Sequence, residues 1–239
     1  MDQALSLGGA DQSPPVIRHI SQPSVADQVF DALQRRILTL ELPPQTKISE
    51  IEISKKMGVS RQPVREAFKR LARLGFLEIR PQSGTSVTLI SQDAVLRARF
   101  IRTALEVKTC RTACETRTPE GLIRLKGLID QQAAAILAKD PERFHGLDDQ
   151  FHIEICTLAG VAYVWDMIHE SKAHMDRIRM LSLSTSSQQQ ALDEHLAIFN
   201  AIAAGNPDAA EDAMTRHLSR IVVLIAEVKA RQHSFFQDT

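Results

Sequence analysis

Apolar side chains recur at helical spacing along most of this chain, and the places where the rhythm breaks divide it into elements. Val25, Val29, Leu33, Ile37 and Leu40 predict a first helix that opens at Ser24, a good N-cap, and stops before Pro43-Pro44. A short second helix over roughly 50–57 ends at Gly58, and a third begins near Ser60, tolerates Pro63 in its first turn and ends at Gly75. The period then changes to two: Phe76–Arg80 and Thr85–Leu89 alternate as strands around Pro81-Gln82-Ser83-Gly84. From Ser91 onward the pattern is helical throughout, with about six helices expected near 91–116, 118–138, 141–159, 162–182, 187–204 and 207–232. Their breaks fall at Pro119, Asp140-Pro141, Gly160, the serine cluster 182–187 and Gly205-Asn206-Pro207. Residues 1–23 are polar, with Ser13-Pro14-Pro15 and Gln22-Pro23, and read as a flexible arm.

Two domains follow: helices plus a hairpin over 24–90, and an all-helical bundle over 91–239. The expected fold class is mainly α. Composition agrees, with 44% hydrophobic residues and only ten each of Gly and Pro in 239 residues. The longest aliphatic run, Ile221 to Ala226, is far short of the about 20 residues that span a bilayer, so no membrane is expected. The amino-terminal residues lack the apolar core of a secretory signal, and three scattered cysteines (Cys110, Cys114 and Cys156) suit a reducing cytoplasm. Net charge is zero, with 29 basic and 29 acidic side chains, but the average conceals a split. Residues 1–90 carry 12 basic and 9 acidic side chains and the remainder 17 and 20, while Lys47–Arg80 alone holds nine basic against four acidic. A basic block inside a neutral chain points to an anionic partner for one domain, nucleic acid first.

The short second helix, the Gly58-Val59 turn and the third helix make a helix-turn-helix pattern, and the hairpin supplies a wing. Val64, Ala67, Phe68, Leu71 and Leu74 form one apolar stripe of the third helix, while Arg61, Arg65, Lys69 and Arg73 lie along another face. Ser60, Arg61, Gln62 and Arg65 are placed to reach base edges, since Arg grips guanine and Gln adenine with paired hydrogen bonds. Lys69, Arg70 and Arg73 lie further back, at phosphate distance, and Gly84 marks the wing tip. The run from Met57 to Leu71, followed by Gly75-Phe76-Leu77-Glu78-Ile79, resembles the DNA-binding domain of GntR-family transcription regulators over roughly residues 24–90. The resemblance implies DNA contact by Ser60, Arg61, Gln62, Arg65 and Gly84. Ser83 and Ile51 stand where relatives often carry Arg, which bears on the operator that is read and not on binding itself.

The second domain places polar residues on apolar faces. Asp148 and His152 fall within the stripe Phe144, Leu147, Phe151 and Ile155, while His195 and His217 align with Leu192, Phe199 and Ile202 and with Met214, Ile221 and Leu224. An unpaired carboxylate in a bundle core costs several kcal/mol or takes up a proton, and one shared divalent cation resolves all four groups. Mixed nitrogen and oxygen donors suit zinc, nickel, manganese or iron. Any one of these histidines alone reads better as a core residue with a private hydrogen bond; it is the set of three with Asp148 that points to a metal. Asp149 is out of phase with the stripe; His19, His145, His169 and His233 read as surface residues, and His174 lacks partner spacing.

Asp148-x-x-x-His152, Glu194-His195 and His217, with Arg102-x-x-x-Glu106 and the segment 203–209, resemble the FCD ligand-binding domain of the FadR-type branch of that family over roughly residues 94–232. The resemblance implies that Asp148, His152, His195 and His217 hold the metal and that a small organic acid completes its coordination. Arg102 and Arg179 are candidate contacts to that acid, with an Arg102–Glu106 ion pair as the equal alternative. The expected function is a homodimeric repressor of a palindromic, double-stranded operator, controlled by the acid and not an enzyme. A regulator responding to the ion itself, and a metalloenzyme acting on a small carboxylate, are the rival readings. No further general base or nucleophile accompanies the four ligands.

Overall fold

Ser24 and Asp27 close a reciprocal capping box that starts α1 (Val25–Leu38). The computed structural model describes residues 23–82 and 84–237, so the expected arm at 1–23 lies almost wholly outside the described residues. Ser49 caps α2 (Glu50–Met57), whose last turn ends in the left-handed region at Gly58 (φ 67°) and leads to α3 (Arg61–Arg73). The wing is β2 (Leu77–Arg80) paired antiparallel with β3 (Gly84–Val87), in the register Leu77↔Val87 and Arg80↔Gly84. A further strand, β1 (Lys47–Ile48), pairs with the other edge of β3, giving the order β1-β3-β2. Its two residues are too short to show a period, so the sequence pattern did not reveal it. The core of this part is Phe30, Leu33, Ile37, Val64, Phe68, Leu71 and Phe76, all buried. The apolar stripe of α3 is thus fixed inward, which turns its opposite face out.

The remainder is helical: α4 (Gln92–Thr116), α5 (Pro119–Leu137), α6 (Pro141–Leu158), α7 (Val164–His169), α8 (Ala173–Ser182), α9 (Thr185–Ala204), α10 (Pro207–Ser219) and α11 (Ile221–Arg231). Side chains of Thr118, Asp140, Ser184 and Asn206 accept backbone hydrogen bonds at the starts of α5, α6, α9 and α10. Leu125, Phe144, Phe151, Ile198, Ile202 and Met214 pack the bundle centre. The helix expected over 162–182 is two, α7 and α8, and that over 207–232 is α10 and α11. Neither break carries Gly or Pro. At the first, Lys172 turns inward to Asp149 (2.8 Å) and Asp176 (2.7 Å); at the second, Arg220 donates to the Ser187 carbonyl (3.1 Å). Tertiary ion pairs and hydrogen bonds, and not local propensity, set both ends.

Helix α8 also meets the amino-terminal part. Ala173 is buried in the α1–α3 core, and Arg177 donates to Thr88 Oγ1 (3.1 Å). The Ser91 amide donates to His174 Nδ1 (3.2 Å). The connecting residue Ile90 is clasped from behind by the carboxy-terminal segment, donating to the Phe235 carbonyl (2.8 Å) and accepting from Gln237 (3.0 Å). An exposed Arg35–Glu142 pair adds little to this junction.

Two outcomes follow. Phe68→Ala empties the α3 core and should destabilise the reading domain by about 3–5 kcal/mol in urea denaturation; a midpoint equal to wild type would refute that packing. Burial, aided by Arg177 and Arg97, pushes the His174 imidazole down to about 4. The unfolded chain, titrating near about 6.5, takes the proton first, so stability from this contact is full above that pH and is lost as pH falls towards 4. His174→Asn keeps an acceptor and removes the titration, so its stability should fall less between neutral pH and pH 5 than wild type's.

Candidate functional site

Two places gather functional chemistry. On α3, Ser60, Arg61, Gln62, Arg65 and Lys69 are all exposed, as the inward stripe requires. Ser60 starts the helix without using its hydroxyl as a cap, which leaves the group free. Arg65 Nε rests 3.2 Å from Glu50 on α2, an exposed pair that a better anion can displace. Arg70 departs from expectation: it turns back to pair with Asp27 (2.6 Å) and covers the Phe30 ring at 4.2 Å. This pair ties α1 to α3. Gly84 opens β3 at the wing tip with nothing within 4 Å of where a Cβ would stand.

The second place lies inside the helical bundle. Asp148 and His152 on α6, His195 on α9 and His217 on α10 each bring one donor atom within 4.8 Å of the others, and all four are buried. His195 Nε2 is 3.5 Å from Asp148 Oδ1, His152 Nε2 is 3.9 Å from Asp148 Oδ2, and the Nε2 atoms of His217 and His152 are 3.3 Å apart. Such spacings match donors ringed about one ion at about 2.0–2.1 Å. The far nitrogens of two rings are hydrogen-bonded, and that of His152 lies against a carboxylate without forming a hydrogen bond among the described residues. His152 Nδ1 meets Glu106 at 2.5 Å, His195 Nδ1 meets Gln132 Oε1 at 2.7 Å, and His217 Nδ1 meets Glu194 at 2.8 Å. With Nδ1 held by an acceptor, the Nε2 atoms of His195 and His217 present their lone pairs to the centre. Among the described residues, His195 Nε2 and Asp148 Oδ1 find no hydrogen-bond partner despite full burial. Two orphaned polar atoms face one another here, and the donor set fits a divalent metal.

Electrostatics reinforce this. Burial keeps His195 and His217 well below the usual imidazole range, and His217 beside the first and His152 beside the second add to it, so both imidazoles are neutral. Burial works against ionised Asp148, yet Arg179, which contacts it directly, and the imidazoles hold its carboxyl well below the usual range. Glu106 is likewise held ionised against burial by Arg102 and His152.

Of the two arginines singled out, Arg102 is buried and takes Glu106 through Nε (2.5 Å) and Nη2 (3.3 Å). Arg179 is committed to Asp148, with Nη1 left without a hydrogen bond among the described residues. Narrow cavities beside the cluster are lined by Arg179 together with Arg220, His217 and Arg102 on one side and His145, Ser182 and Ser187 on the other. Gln132 and Arg220 escaped the sequence reading. Gln132 stands in a stretch of small and apolar residues with no motif around it, and Arg220 follows the end of α10, where periodicity carries no signal. His145, expected at the surface, is nearly covered and lies 4.0 Å from Asp176. Asp149 takes Lys172, outside the four-donor set.

Comparison with known proteins gives the context. Residues 25–87 match the family described as bacterial regulatory proteins, gntR family, and residues 98–220 match the FCD domain. The HTH-type transcriptional repressor RspR of Escherichia coli (strain K12) is 37% identical over 219 residues, covering 91% of this chain and 96% of its own. A probable D-xylose utilization operon transcriptional repressor of Paenarthrobacter nicotinovorans is 29% identical, covering 84% and 89%. The solved structure of E. coli McbR/YncC superposes with a TM-score of 0.74 over 85% of this chain and 98% of its own, at 20% identity, and so shares the fold. A winged reading helix ahead of a helical sensor-type bundle, with relatives that are regulators and not enzymes, leads to one statement: this chain belongs to the GntR family of bacterial transcription regulators, with an FCD domain.

Proposed function

We propose that this regulator is a repressor whose operator affinity is set by a small organic acid bound at a metal centre in the helical bundle. The observation that carries this reading is the convergence of three buried imidazoles, two of them hydrogen-bonded through Nδ1, and one buried carboxylate on a common point. A divalent ion held there, zinc first and nickel, manganese or iron as alternatives, supplies a Lewis-acidic centre for a carboxylate oxygen; four protein donors leave positions open on an ion that takes more than four ligands. Arg179 and Arg220 supply cationic walls on the cavities beside it. For Arg179 to hold an acid it exchanges Asp148 for the ligand, whereas Arg102 is committed to Glu106 and positions His152 through it.

The reading unit spans 24–90 and the sensor unit 91–239. Ser60, Arg61, Gln62 and Arg65 meet base edges in the major groove, Lys69 meets phosphate, and Gly84 lets the wing backbone approach the duplex. The chain works in the cytoplasm as a homodimer, one α3 per operator half-site. Leu96 and Phe100, exposed one turn apart on α4 beside Asp93 and Arg97, offer a face for the second copy. The acid controls repression only if it binds the operator-competent and incompetent shapes unequally. A second reading, in which the ion itself is the signal, is favoured by one observation: both candidate guanidinium contacts are already paired.

Three outcomes test this. Arg65→Ala should weaken operator binding by about 1–3 kcal/mol in fluorescence anisotropy; an unchanged affinity sinks the DNA-reading assignment. In zinc-loaded protein, one among sugar acids and dicarboxylates should shift operator Kd about 5–150-fold, and Asp148→Asn should abolish the shift. A shift produced by chelator and by no acid selects the metal-signal reading. Phe100→Glu should convert dimer to monomer in sedimentation velocity, and a persistent dimer places the interface elsewhere.

A further inference from the structure

Helix α8 touches both functional places, on two different stripes. Lys172, Asp176 and Arg179, spaced i, i+4 and i+7, line the stripe that faces the sensor. Lys172 Nζ reaches Asp149 on α6, and Arg179 reaches the neighbouring residue Asp148, one of the four converging donors. Ala173, His174 and Arg177 form the other stripe, which faces the reading domain. Ala173 is buried among α1 and α3 side chains. His174 Nε2 lies 3.3 Å from where a Cβ on Gly75 would stand, and Gly75 (φ +83°) is the residue that ends the recognition helix. Arg177 donates to Thr88 Oγ1, and that hydroxyl donates on to the Gly75 carbonyl (2.7 Å). Arg177 is only 1% exposed, yet its Nε and Nη2 have no hydrogen-bond partner among the described residues. A buried guanidinium held by a single hydroxyl is loosely fixed, so this contact can shift when α8 moves.

We propose that His174 and Arg177 are positioning residues that carry the state of the Asp148–Arg179 contact along α8 to Gly75 and Thr88 at the carboxy-terminal end of the recognition helix. This rests on the four-donor cluster being a metal centre: an ion there draws on the same Asp148 carboxylate that Arg179 holds. The competition moves α8, and the Arg177–Thr88–Gly75 relay re-aims α3. Neither residue touches DNA or the ion.

Hydrogen–deuterium exchange on the full chain, stripped and then zinc-loaded, tests it, with zinc affinity measured in the same samples by competition with a chromophoric chelator. Loading should change exchange at the Gly75, Phe76 and Thr88 amides by at least about fivefold, the lower end of usual coupling between linked sites. Arg177→Gln and Thr88→Val should bind zinc like wild type and lose that zinc-dependent change. Thr88→Val is nearly isosteric, so it carries the test if Arg177→Gln fails to fold. A contact that merely holds the domains together would raise exchange equally in stripped and loaded protein, which counts against the proposal. Zinc uptake without change at these amides, or an undiminished change in both variants, overturns the coupling while leaving the metal centre standing. A chain that takes up no zinc overturns both.

Discussion

The arrangement of this protein turns on one buried carboxylate. Asp148 is fully enclosed, and a charge in that position is tolerable only where opposite charge or dipoles surround it. Arg179 of α8 and imidazoles from α6, α9 and α10 provide that surround, so four helices are tied to one atom pair. The histidines in turn need their far nitrogens held, and Glu106 of α4, Gln132 of α5 and Glu194 of α9 hold them. All six helices that touch the cluster are therefore tied through polar contacts as well as through the apolar core around Phe144 and Phe151.

A polar centre of this kind is costly unless it is complete. Glu106 joins Arg102 to His152, which compensates one end; at the other end His195 Nε2 and Asp148 Oδ1 have no hydrogen-bond partner among the described residues. A metal at the proposed centre would complete it and would compete with Arg179 for Asp148. The reading domain has the opposite character. Its core is apolar, its recognition face is set outward by the stripe Val64, Phe68 and Leu71, and its ion pairs at the reading surface are exposed and exchangeable.

The periodicity made α1 to α6, α9 and the wing legible, and the positions of Asp148, His152, His195 and His217 on inner faces followed from helical phase. What escaped was decided between elements. Strand β1 exists because Lys47 and Ile48 find the free edge of β3, which no local pattern announces. The ends of α7 and α10 are set by where Lys172 and Arg220 find partners. Arg70 reads as one more cation on a basic helix until the fold places Asp27 and Phe30 beside it. Gln132 carries no signature because its role is defined only by the ring it holds.

The most direct test of the central claim is the zinc K-edge X-ray absorption spectrum of the loaded protein. The account predicts one ion per chain with imidazole donors and a carboxylate oxygen at about 2.0–2.1 Å, and a spectrum that loses imidazole scattering in His195→Ala. A spectrum without imidazole scattering, or one unchanged by that substitution, would contradict it.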